Sequence, residues 1–219
     1  MYHYYFSMPK SDNPGTVFLP MKSSVNVPVI ISCYAWDKEY WTNNMEEVLK
    51  KHVTKKLNTG MVTIKLTGGS DEDSTYKRMV WENDLAAIVS WVRAKRFAKN
   101  DKIGIFAYGA GAEAALPYAD GVSDVAFLIL VNAIKDELAD EEIAVMLDKT
   151  AIPVLYLRGT GEAVVIQTQK QKAREVKVLQ SSVTKSAFIT FVGADNFMFN
   201  ISDQVALEIE RWMKLAEII

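Results

Sequence analysis

Residues 101–116 read Asp101-Lys-Ile-Gly-Ile-Phe-Ala-Tyr-Gly-Ala-Gly-Ala-Glu-Ala-Ala-Leu116. Ile103 to Tyr108 is an almost unbroken apolar run, as expected of a strand covered on both faces. Gly109-Ala110-Gly111 interrupts it, and a small-residue helix starts directly afterwards. A strand that passes through glycines into a helix is the unit of a parallel α/β sheet. In such sheets ligands collect beyond the carboxyl ends of the strands.

Outward from this unit the same alternation recurs. Residues 4–8 and 16–21 predict an opening hairpin around Asp12-Asn13-Pro14-Gly15. Further short apolar runs predict strands over 27–33, 61–66, 102–108, 125–131, 154–158 and 187–192. Helices are predicted over 43–57, up to about 98, and over 110–119, 136–149, 166–179 and 202–219. The second of these rests on Trp81, Leu85, Ile88 and Val92, which fall on one helical stripe. The fold class is therefore α/β, with a mostly parallel central sheet, and the expected organisation is one domain over 1–219.

Composition narrows the function classes. Lys and Arg number 25 against 27 Asp and Glu, a net charge of −2, so no global field favours a polyanion and no nucleic-acid partner is expected. No apolar run approaches the roughly 18 to 20 residues that span a bilayer, and Met1-Tyr-His-Tyr-Tyr-Phe6 carries no secretory pattern. With Cys33 the single cysteine, a reducing, cytoplasmic setting is expected. One cysteine and two histidines make a poor structural zinc set, and neither metal nor cofactor is expected.

Four loops follow strands and draw attention: Cys33-Tyr-Ala-Trp-Asp37, Tyr108-Gly-Ala-Gly111, Arg158-Gly-Thr-Gly-Glu162 and Val192-Gly-Ala-Asp-Asn196. With these in order, the chain resembles the α/β-hydrolase family, in particular its small dienelactone-hydrolase and esterase-like members. Asp101 to Gly111 looks like the strand and nucleophile elbow, whose pattern is G-x-S-x-G. Ile152 to Glu162 looks like the strand delivering the acid, and Phe191 to Asn196 like the strand and loop delivering the histidine. The resemblance implies a three-layer fold with an N-terminal antiparallel hairpin and little or no lid, 133–150 being the only stretch available as a cap. It also implies triad positions at Gly109, Glu162 and Asn196. Around them it implies pocket and oxyanion-hole positions at Cys33, Tyr34, Trp36, Tyr108 and Ala110.

Two of the three triad positions carry the wrong chemistry. Gly109 has no side chain to attack a carbonyl, and the Asn196 amide cannot accept a proton near neutral pH as imidazole does. Ala107 also replaces the first elbow glycine. Glu162 keeps the acid, but a carboxylate that orients a base is of little use without the base. Glycine suits a position where any other residue pays about 1–3 kcal/mol of backbone strain. The expected function is a pseudoenzyme on a hydrolase fold that binds a small molecule or a partner.

An alternative reading is an esterase or other hydrolase with non-standard residues, Cys33 as nucleophile or Glu162 acting on water. A third has Gly109-Ala-Gly111-Ala-Glu-Ala114 as a dinucleotide fingerprint, although the next strand ends at Asn132 where an acidic residue is required. A fourth is self-association, as a homodimer, through a sheet edge or through Val205, Ile209, Trp212 and Ala216 of the last helix. His3 and His52 are read as ordinary histidines, and Cys33 as a small buried hydrophobe at a strand end. Lys50, Lys51, Lys55 and Lys56, and likewise Lys170, Lys172, Arg174 and Lys177, are read as solvated helix faces. Asp71-Glu-Asp73 is read as an acidic turn.

Overall fold

The computed structural model describes residues 1–7, 14–21, 25–34, 48–66, 74–108, 110–121, 124–131, 145, 149–160, 175–180, 184–194 and 201–219. Nine strands form one sheet: β1 (Tyr2–Ser7), β2 (Pro14–Leu19), β3 (Val27–Tyr34), β4 (Gly60–Lys65), β5 (Ala98–Tyr108), β6 (Phe127–Val131), β7 (Val154–Gly159), β8 (Glu175–Gln180) and β9 (Ala187–Val192). Their spatial order is β1-β2-β4-β3-β5-β6-β7-β9-β8. From β4 to β9 neighbouring strands run parallel, while β1–β2, β2–β4 and β8–β9 are antiparallel. The opening hairpin and the mostly parallel sheet are as the sequence predicts.

Alternation along the strands divides the interior into two cores. Val29, Ile31 and Cys33 of β3, Ile105 and Ala107 of β5, and Leu128 and Leu130 of β6 point to the first face. There they meet Leu85, Ile88, Val89 and Val92 of α1 (Ser74–Arg93), and Ala112 and Ala115 of α2 (Ala110–Gly121). Ile30, Phe106, Phe127, Ile129 and Leu155 point to the second face, against Leu49 and Val53 and against Val205, Ile209, Trp212 and Met213 of α3 (Ser202–Leu215). Strands buried on both sides carry no polar alternation, which explains the continuous apolar runs. Gly104 shows how closely β5 and β6 fit: a Cβ there would lie 2.2 Å from the Phe127 ring.

Three segments depart from the sequence reading. The first is the predicted helix 166–179, of which Glu175–Leu179 belongs to strand β8. Val176 and Val178 have the β-branched, period-two spacing of a strand, and pairing with β9 satisfies backbone groups that β9 would otherwise leave open. Lys177 consequently lies on a strand, opposite Thr190, and not on a basic helix face.

The second is the end of α1, at Arg93 and not near residue 98. The carbonyls of Arg96 and Phe97 accept hydrogen bonds from Asn26 and Val27 at 3.2 and 2.8 Å, so the chain turns there to start β5 beside β3.

The third is the helix predicted over 43–57, which between Lys50 and Lys56 is a π-helix. The Thr54 hydroxyl donates to the Lys50 carbonyl, competing with the regular amide bond of that turn, and the Leu57 amide reaches back five residues to the His52 carbonyl at 3.2 Å. The expected helix over 136–149 and the cap stretch 133–150 fall almost wholly outside the described residues.

Candidate functional site

Strand order locates the site before any side chain is considered. β4 lies on one side of β3, and the chain then crosses to place β5 on the other side, with β6, β7 and β9 following outward. That reversal between β3 and β5 is a topological switch point, the kind of place where open α/β sheets form a ligand crevice. Cys33 pairs with Ala107, so β3 and β5 end side by side at the switch point, at Tyr34 and Tyr108.

β5 ends at Tyr108 and α2 begins at Ala110, leaving one residue for the whole connection. A reversal this abrupt brings the first turn of α2 close over the end of β3. A Cβ on Gly111 would sit 3.6 Å from the Cys33 carbonyl oxygen and 3.7 Å from Leu66. The amides of that first turn are therefore directed towards the carboxyl end of the sheet, the arrangement that favours anionic or carbonyl groups.

Cys33 is 1% exposed, packed in the first core with its Sγ 3.8 Å from the Ile31 carbonyl. Burial, reinforced by the nearby Asp84 carboxylate, pushes its thiol far above the usual range. A thiol sealed from solvent in a packed core is poorly placed to act as a nucleophile. Tyr108 lies on the opposite side of the sheet, partly buried against the second core.

On the far side of β6, the loops after β7 and β9 leave the sheet side by side. The Thr160 amide donates to the Phe191 carbonyl, and the Gly193 amide donates to the Thr160 hydroxyl, both at 3.3 Å. Gly193 has φ 79°, a left-handed conformation that glycine accepts without strain. Thr160 and Gly193 therefore tie together the loops that continue to Glu162 and Asn196. Gly159 closes β7 and Gly193 follows β9, but nothing local in the sequence pairs the two loops. Gly109, Trp36, Glu162 and Asn196 themselves lie outside the described residues, as does the side chain of Tyr34.

The histidines are elsewhere. His3 is on the outermost strand, stacked at 6.3 Å on Phe18. His52 is on the π-helix, which leads into the amino end of β4, the opposite end of the sheet from the crevice. Its Nε2 lies 2.6 Å from Oε2 of Glu210 on α3, which also accepts from Lys56 Nζ at 2.8 Å, while Lys214 Nζ donates to Oε1 at 2.6 Å. Glu210 is 8% exposed, and Lys214, Lys56 and His52 together hold its carboxyl down to about 2. Among the described residues no group of three or more His, Cys, Asp and Glu is placed to hold a metal ion. No helix among them is long and apolar enough to cross a membrane.

No protein-family model matches the chain, and no curated protein sequence does. Solved structures do. An alpha-beta serine hydrolase homologue from Coxiella burnetii superposes with a TM-score of 0.63 at 18% identity, over 96% of each chain. An α/β serine hydrolase without a lid, from Xanthomonas campestris, gives 0.63 at 15% identity, over 97% of this chain and 93% of its own. Est1E from Butyrivibrio proteoclasticus gives 0.66 at 13% identity, over 99% of both chains. Together with the switch point between β3 and β5 and the one-residue step into α2, these likenesses establish that the chain has the α/β-hydrolase fold.

Proposed function

We propose that this chain is a non-catalytic protein on an α/β-hydrolase fold, binding a small molecule in the crevice at the ends of β3 and β5. One observation carries the reading: the single residue between β5 and α2 is a glycine. That is the position from which this fold presents a nucleophile, and a residue without a side chain cannot form an acyl intermediate there. Asn196 in the loop after β9 removes the proton acceptor as well. The burial and raised pKa of Cys33 count against a thiol taking over, so the reading with Cys33 as nucleophile loses its basis. What remains for the crevice is recognition, through the amides at the head of α2.

The test is covalent and kinetic. The folded protein is incubated with a fluorophosphonate probe and, separately, with short p-nitrophenyl esters. The expected result is an unchanged intact mass and ester hydrolysis at the rate of buffer. A stoichiometric adduct on any residue lining the crevice, or turnover abolished by Glu162→Ala, overturns the proposal.

A further inference from the structure

We propose that the outer edge of β1 pairs with the same strand of a second copy of this chain, around a two-fold axis passing through Tyr4. β1 is the terminal strand of the sheet, and among the described residues no strand lies on its outer side. Natural edge strands are usually protected by lysine, proline, bulges or short length. This one, Tyr-His-Tyr-Tyr-Phe-Ser, is six residues long and contains no charge, proline or glycine. It exposes Tyr2 at 57%, Tyr4 at 40% and Tyr5 at 76%.

The register follows from symmetry. A two-fold axis perpendicular to the sheet keeps each side chain on its own face, so even positions must oppose even and odd must oppose odd. With the axis at Tyr4, Tyr4 meets its own counterpart, Tyr2 meets the second copy's Phe6, and His3 meets the second copy's Tyr5. Every cross-strand pair from position 2 to position 6 is then aromatic on aromatic, the kind of pair that stabilises antiparallel ladders.

Each face is already prepared for such a row. Phe6 stacks on Trp91 at 4.2 Å, and Lys95 Nζ lies 4.2 Å from the Trp91 ring centroid. On the other face His3 stacks on Phe18 and meets Tyr5 edge-on at 6.2 Å. No charge on β1 opposes a like charge of the second copy. The opposite edge, β8, carries Glu175 and Lys177 in its sequence. The apolar stripe of α3 is unavailable, because Val205, Ile209, Trp212 and Ala216 are buried in the chain's own second core.

Sedimentation velocity across the micromolar range tests this. The unmodified chain is expected to pass from monomer to dimer as concentration rises. Tyr4→Lys, which sets two ammonium groups against each other at the axis, is expected to move the midpoint up by about tenfold or more, with an unchanged melting temperature at concentrations where both chains are monomers. Register is read by oxidative crosslinking: a Tyr4→Cys chain is expected to form a disulfide-linked dimer, and a Tyr2→Cys chain is not. Buried Cys33 does not compete. A monomer at every concentration overturns the proposal. So does a dimer indifferent to Tyr4→Lys, or equal crosslinking from positions 2 and 4.

Discussion

On the first face of the sheet, Leu85, Ile88 and Val92 of α1 and Ala115 of α2 meet hydrocarbon from β3, β5 and β6, with the Cys33 thiol enclosed among them. An ion pair on this side, Arg93 with Asp124 at 3.1 Å, lies at the rim, both groups partly exposed. On the second face the same kind of packing, through Val53, Ile209 and Trp212, is supplemented by Glu210. That carboxylate collects two lysines and a histidine where the π-helix crosses α3. At these core residues the first face rests on burial, which neither pH nor salt changes much. The second adds a charge cluster that both can weaken.

Three substitutions would sharpen or break this contrast. The largest effect is expected from Leu85→Ala, which empties space in the first core at a site with 0% exposure. It should cost about 2–5 kcal/mol by urea unfolding. The cost should be nearly the same at pH 3 and pH 7. A strong pH dependence would show that the first face is not held by hydrocarbon alone.

Glu210→Gln should cost less, about 1–2 kcal/mol at pH 7, since Lys56 and Lys214 are more than half exposed and solvent screens them. The sign follows from the carboxyl being held at about 2, below its ordinary 4.5. A depressed folded value stabilises above the ordinary value, and the gain disappears as pH falls through 4.5 towards 2. Melting curves of the two proteins should therefore converge in acid, and should also approach each other in high salt. A constant gap across that range would contradict a charge-based clamp.

Gly111→Ala should have the smallest effect, with opposite sign. The new methyl would meet the Cys33 carbonyl and Leu66 at ordinary contact distances, and alanine favours the helix by up to about 1 kcal/mol. A rise of a few degrees in melting temperature is expected. A fall would mean that α2 sits closer to β3 than these distances give.

What could be read in the sequence follows from the same physics. The runs around Ile30 and Ile129 are legible as strands because burial on both sides removes any polar alternation. Tyr108-Gly-Ala-Gly111 is legible as a site because a strand, a glycine and a helix must leave the sheet at its carboxyl end. Glu175–Gln180 misleads because its alternation is only six residues long, and only β9 beside it decides between helix and strand. The His52–Glu210 bond spans 158 positions, so no local pattern announces it. The same holds for Thr160 with Gly193, whose partnership exists only once β7 and β9 are neighbours.

The one-residue step from Tyr108 to Ala110 has a further consequence. A longer loop can gain or lose an amino acid and absorb the difference in its own slack. Here an added residue would have to slide a whole helix along the floor beneath it, breaking the fit of Ala112 and Ala115 on the way. Evolution of this corner is therefore confined to exchanging one side chain for another.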